Sequence, residues 1–175
     1  QGLLEMAELP YCGCDVMSSA LSMDKEKTKQ IWENAGLPVV PYITIRKTDR
    51  ENQATFEAII KKSERDFEWP VFIKPCKAGS SVGANKASNK EEFVKAVDDA
   101  LLWDDKILVE AFINAREIEC SVTGFREIAA YTPGEIVPSH EFYDYEAKYL
   151  DPEGAALKIP ADLDEEKIRE VRDIA

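Results

Sequence analysis

Histidine is almost missing from this chain: His140 is the only one in 175 residues, which argues against a histidine-rich metal centre and against a Ser-His-Asp triad. Cysteine is sparse and scattered over Cys12, Cys14, Cys76 and Cys120. Cys-Gly-Cys lacks the two-residue spacer and the second ligand pair of a zinc site, so isolated reduced thiols are expected. No apolar run approaches the ~18 residues of a membrane span and no charged-then-apolar leader opens the chain, so a soluble, cytosolic protein with no membrane partner is expected. Basic residues are in deficit, 22 against 34 acidic ones, for a net charge of -12. The charges are scattered over what read as solvated helix faces, and duplex nucleic acid would meet net repulsion and no basic stripe. Internal repeats and low-complexity tracts are absent too.

What is present suits one or two small domains, with 45% hydrophobic residues to build a core. Ser22 or Asp24 can cap a helix that ends at Gly36 before Pro38, followed by a strand "VVPYITI". Phe56, Ile59 and Ile60 predict a second helix over about Gln53 to Ser63, and "WPVFIKP" a short buried strand. Ser88 with Glu91 reads as the capping box of a third helix that begins right after a Gly-Ser loop. "KILVEAF" and the strictly alternating "REIECSVTG" predict two strands that are antiparallel neighbours. The segment from "AYTPGEIVP" to "IPADL" has no steady period and reads as one long irregular stretch. The fold class expected from this order is α+β, with helices packed on partly antiparallel sheets.

The stretch "KPCKAGSSVGANK", residues 74–86, carries the chemistry. Backbone N–H groups of a Gly-containing turn form a concave anion site, Ser80 and Ser81 add hydroxyls, and Lys74 ends a strand beside them. It is not a P-loop, because Gly79 and Gly83 are too close and Ala84-Asn85 stands where Lys-Ser/Thr would be. A plain β-turn with solvated serines remains the alternative on the loop alone. Lys25 opens a helix, where the dipole disfavours a cation and another purpose is needed, or is mere surface charge. Glu110 and Glu117 flank a short connection; their carboxylates suit ribose hydroxyls, and the backbone between them suits the edge of adenine. Two exposed acids beside a hairpin is the bland alternative.

Six segments in order, "ALSMDK", "AGLPVVPY", "VFIKPCKAGSSVGANK", "ILVEAFINAREIECSV", "PGEIVPSHEFYDYEAKY" and "IPADL", closely resemble the D-alanine-D-alanine ligase family of ATP-grasp enzymes. The resemblance implies an ATP-grasp fold and ATP-dependent joining of two D-alanines through a D-alanyl phosphate, for peptidoglycan. It implies that Lys25 and Lys74 hold ATP phosphates and that the loop with Gly79, Ser81 and Val82 covers them. Glu110, Ala111 and Ile113 fall on the adenine-reading hinge, Glu117 on the ribose ligand, and Tyr143 on a lid aromatic. Lys148 matches the lysine that reaches the γ-phosphate, and Ser80 with Tyr149 the pair that orients the first substrate. The lid is expected at 139–150.

The same resemblance implies Mg2+ with ligands in a C-terminal segment that this chain lacks, so no metal ligand is named. Both ends read as cut, "QGLLEMAELP" and "DEEKIREVRDIA" each stopping in a helical pattern. The chain is expected to be a central piece of the ligase, itself inactive: 1–22 the end of the N-terminal substrate domain, 23–105 the first ATP-grasp subdomain, 106–175 the start of the second. ATP and D-alanine are the expected small-molecule partners, a homodimer the expected parent, and self-association the expected behaviour of the exposed piece. D-alanine-D-lactate and D-alanine-D-serine ligases share most of these motifs, with Tyr149 favouring D-alanine; a non-catalytic ATP-grasp module is the alternative from another class.

Overall fold

Buried aliphatic side chains alternate with mostly polar or aromatic ones along three of the strands between residues 42 and 111, and a strand's period of two turns that alternation into a sheet with one apolar face and one mixed face that carries its charges. The computed structural model describes residues 1–138 and 154–175. It divides into two compact units, 1–112 and 113–175.

The first unit runs α1 (Gly2–Met6), α2 (Val16–Met23), α3 (Lys25–Asn34), β1 (Tyr42–Arg46), α4 (Lys47–Glu51), α5 (Gln53–Asp66), β2 (Val71–Pro75), β3 (Asn85–Ala87), α6 (Lys90–Ala100) and β4 (Lys106–Ala111). Its sheet has the order β1-β4-β2-β3 and is antiparallel throughout. Ile43, Ile45, Val71, Ile73, Ile107 and Val109 form the core with Phe56 and Ile60 of α5 and Phe93 and Val97 of α6. Phe93 meets Trp69 edge-on, ring centroids 6.0 Å apart. Thr44, Lys74, Lys106, Leu108 and Glu110 share the opposite face by register, and α3 engages three of them through its own charged residues.

Local chemistry sets the helix ends. Asp24 caps α3, its Oδ1 accepting from Lys27 N at 3.3 Å, and the chain leaves that helix through Gly36 at φ 78°, both as expected. α6 corrects the expected capping box by one residue: Asn89 Oδ1 accepts from Glu92 N at 2.9 Å, and Glu92 Oε2 accepts from Ser88 N at 2.8 Å. Asn is as good a cap as Ser, and its extended backbone places it first outside the helix.

The second unit contains β5 (Glu117–Glu119), β6 (Val122–Gly124), β7 (Ile128–Ala130), β8 (Gly134–Pro138), β9 (Ala155–Lys158) and α7 (Glu165–Ile174). β5, β8 and β9 form one antiparallel sheet and β6–β7 a separate hairpin. Arg116 grips Glu135 with both nitrogens of its fork, at 2.6 and 2.8 Å, and donates to Asp162 O at 2.9 Å.

Four strand expectations are corrected here. β4 does not pair with the strand after it, because β1 and β2 occupy both its edges. Its first five residues are all buried, the pattern of a central strand rather than of a hairpin arm. "REIECSVTG" is two short strands in different sheets, since Ser121 O is taken by Tyr131 N at 2.9 Å and the chain turns there. β3 intervenes between the Gly-Ser loop and α6, and the stretch expected to be irregular contains β8 and β9. Both escape a reading by period because three to five residues carry too little of it.

Candidate functional site

β2 ends at Pro75, and the turn that follows is shaped from within. Val82 N donates to Gly79 O and Ala84 N to Ser81 O, each at 3.1 Å. Ser80 and Ser81 both take left-handed backbone, φ 53° and 58°, and Gly83 follows at 67°. Left-handed backbone costs an L-residue about 1–2 kcal/mol. Two such serines in succession are local strain that the closed turn must hold in place.

Lys25 reaches this turn from α3. Its Nζ donates to Pro75 O at 2.9 Å, to Ala78 O at 2.6 Å and, more weakly, to Cys76 O at 3.4 Å, while its backbone N donates to Cys76 O at 3.1 Å. Desolvation first and the neighbouring Lys74 charge second push the Lys25 ammonium below its ordinary 10.5. Lys25 and Lys74 are thus close enough at the base of the loop for one charge to act on the other.

Lys74 is held in turn by Glu110, opposite on β4. Its Nζ lies 2.6 Å from Glu110 Oε2, and Lys29 Nζ lies 2.9 Å from Oε1. Lys29 approaches Oε1 outside hydrogen-bonding geometry, so this buried oxygen accepts no hydrogen bond among the described residues. Lys29 donates to Val40 O at 3.1 Å instead and stands 5.3 Å from the centroid of the Tyr42 ring.

A second charged cluster pins the start of α3. Lys106 Nζ lies 2.7 Å from Asp24 Oδ2 and 2.6 Å from Glu26 Oε2, and Thr44 Oγ1 donates to Glu26 Oε1 at 3.1 Å. Burial works to raise both carboxyls, but the Lys106 ammonium outweighs it and both lie below their ordinary values. Burial likewise works to lower Lys106, and the two carboxylates raise it overall. Cys76 is fully buried beside this cluster, its thiol pushed up to about 11 by desolvation.

The structure therefore brings together Lys25, Lys74, Glu110 and the turn holding Gly79, Ser80, Ser81 and Val82. Ala111 ends β4 next to Glu110, and its N–H is taken by Pro41 O at 3.1 Å. Ile113 and Glu117 lie in the second unit, Ile113 exposed and Glu117 on β5. Tyr143, Lys148, Tyr149 and the expected lid fall outside the described residues. Sequence reasoning passed over Lys29, although it stands one helical turn after Lys25 and so shares its face.

Residues 31–175 match the family model described as D-ala D-ala ligase C-terminus. The D-alanine--D-alanine ligase of Treponema denticola is 58% identical over all of this chain, which covers 48% of that protein. That of Acetivibrio thermocellus is 47% identical, with 46% covered. The crystal structure of the VanG D-Ala:D-Ser ligase from Enterococcus faecalis superposes with a TM-score of 0.84 at 34% identity, over 99% of this chain and 48% of that one. The D-alanine-D-alanine ligase from Coxiella burnetii gives 0.79 at 33%, over 99% and 43%. The chain thus spans about half the length of the curated relatives it matches. With a family model running from Ile31 to the last residue and relatives this similar along the whole chain, the resemblance carried by the motifs holds, and the chain belongs to the D-alanine-D-alanine ligase C-terminal family.

Proposed function

We propose that the protein carrying this chain is an ATP-dependent ligase that joins two D-alanines for peptidoglycan precursor synthesis, and that residues of this chain bind its nucleotide. In that reaction the terminal phosphoryl group of ATP passes to the carboxylate of one D-alanine. The amine of the second then attacks the acyl phosphate, and inorganic phosphate leaves.

The observation that carries the reading is that Lys25 Nζ donates to Pro75 O and Ala78 O, in the segment that leads into the left-handed turn, with Lys74 one residue before that segment. Phosphoryl transfer is catalysed mainly by positioning and by positive charge around the transferred group. Lys25, Lys74 and the turn at Gly79–Gly83 supply both. Lys25 would exchange a main-chain carbonyl for a phosphate oxygen at little cost, since its longest contact is 3.4 Å. Glu110 is assigned with Ala111 and Ile113 to the edge of adenine, and Glu117 to the ribose. Lys148 is assigned to the γ-phosphate, Ser80 and Tyr149 to orienting the first D-alanine, and Tyr143 to lining the cleft under a lid at 139–150 that excludes water. Mg2+ accompanies ATP in this reading. Among the described residues no group of three or more His, Cys, Asp or Glu is placed to hold a metal, and the reading assigns it no ligand here.

The proposal keeps residues 1–22 as the end of a substrate domain, 23–105 as the first ATP-grasp subdomain and 106–175 as the start of the second, in a homodimeric cytoplasmic enzyme. A D-alanine-D-serine ligase is the second reading, favoured by the VanG similarity; Tyr149 in "EAKY" supports D-alanine. Calorimetric titration of the full-length protein with Mg-ATP, beside Lys74→Ala, tests the first part. Binding lost in the variant and phosphate release with D-alanine alone are expected. Undiminished binding by Lys74→Ala would sink the phosphate assignment, and release that needs D-serine or D-lactate would shift the substrate reading.

A further inference from the structure

Among the described residues Lys29 is one of the few buried cations, 9% exposed, and the nucleotide reading gives it no task. A helix residue that packs against a sheet could be apolar at no loss of stability, because desolvating an ammonium is costly even where it finds a partner. Its surroundings fix it firmly: Val40 O at 3.1 Å, the Tyr42 ring, and Glu110 Oε1 at 2.9 Å.

We propose that Lys29 is a positioning residue of the nucleotide site: it neutralises Glu110, so that Lys74, paired to the other carboxylate oxygen, presents a net positive charge to phosphate. The charge count carries the argument. Lys74 and Glu110 at 2.6 Å form a pair of zero net charge, and a neutral pair attracts an anion weakly. Lys29 brings the group of three to one net positive charge. Glu110 is 5% exposed, so water does little to screen these charges from one another. Lys29 thus acts through Glu110 on Lys74 and touches no phosphate. The inference rests on the nucleotide reading above and deepens it.

Two probes separate the phosphate part of the site from the base part: inorganic tripolyphosphate and adenosine, each titrated calorimetrically into the full-length protein, with thermal melts alongside. Lys29→Met is expected to weaken tripolyphosphate about tenfold while adenosine stays within about twofold, and Lys29→Arg to keep both near wild type. Since Lys29→Met strands a buried carboxylate and could fail to fold, Lys29→Met/Glu110→Gln is measured beside it. With both charges gone Lys74 stands alone, and tripolyphosphate binding is expected within about threefold of wild type. Unchanged tripolyphosphate affinity in Lys29→Met, equal weakening of both probes, or a paired variant more than about tenfold below wild type would each overturn the inference. Wild-type protein that binds neither probe would instead bring down the nucleotide reading, and this inference with it.

Discussion

Gly79 and Gly83 bracket the same turn but answer to different demands. Gly83 has φ 67°, and a Cβ there would stand 2.5 Å from Trp103 Cδ1 and 3.0 Å from Pro75 Cγ. Gly79 has neither constraint, with nothing within 4 Å of an added Cβ. Gly83→Ala is therefore expected to lower stability by about 1–3 kcal/mol, whereas Gly79→Ala should stay within about 0.5 kcal/mol of wild type and weaken ATP by crowding its phosphates. Thermal melts paired with ATP titrations check this; equal stability of the two variants would mean that the turn relaxes around either methyl. Both glycines, both serines and Lys74 were legible in the sequence as a candidate anion loop, the role proposed above. The left-handed backbone at Ser80 and Ser81 was not, because serine carries no such preference and only the closed turn imposes it.

At the scale of elements, α3 and β4 are joined by two ion clusters of opposite sense. Asp24 and Glu26 of the α3 start meet Lys106, and Lys29 one turn later meets Glu110. Sliding the helix along the strand would set like charges together, so the pairs define the register that puts Lys25 on the loop. Removing one member of a buried cluster is expected to cost about 3 kcal/mol, which Lys106→Met tests in denaturant melts.

The pH dependence of that cost has a definite sign. Asp24 and Glu26 are depressed from 3.8 and 4.5, so what they contribute is complete above those values and is lost as pH falls through the lower folded ones. Lys106 is raised from 10.5, so its contribution is complete below 10.5 and is lost as pH rises through the folded value. The cluster should stabilise evenly between about pH 5 and 10. The deficit of Lys106→Met should narrow in acid, where the stranded carboxyls protonate. A deficit that stays constant from about pH 3 to 7 would mean that these charges do not hold the helix. The starts of α3, α5 and α6 were readable to within a residue or so, since caps and apolar spacing are local, whereas α2 and its Asp15 cap were not read and α5 runs three residues past Ser63. α4, with five residues, was too short for any period to emerge.

For the whole molecule, the first residues pose the clearest physical problem. Leu3, Met6, Leu9, Val16, Met17 and Met23 are 43–87% exposed along α1, α2 and the turn between them. Apolar residues clustered on neighbouring short elements favour burial against another surface. The 175-residue chain by itself is expected to self-associate, giving a weight-average mass above 19.7 kDa in equilibrium sedimentation. A clean monomer at high concentration would show that these side chains tolerate water as they stand.

The sequence by itself determined the α+β class and, through six ordered motifs, the family, and it singled out the Gly-Ser turn with Lys25 and Lys74 as the candidate anion site. These rest on periodicity, turn chemistry and short contiguous matches, all of which survive in a linear reading. Tertiary structure alone decided that β4 is a central strand, that "REIECSVTG" splits between two sheets, and that Lys29 and Lys74 divide the oxygens of Glu110. The physical reason is distance along the chain: Lys106 lies 80 residues from Glu26 and 82 from Asp24. A buried charge takes whichever partner the packed sheet brings within 3 Å, and no local pattern around it names that partner.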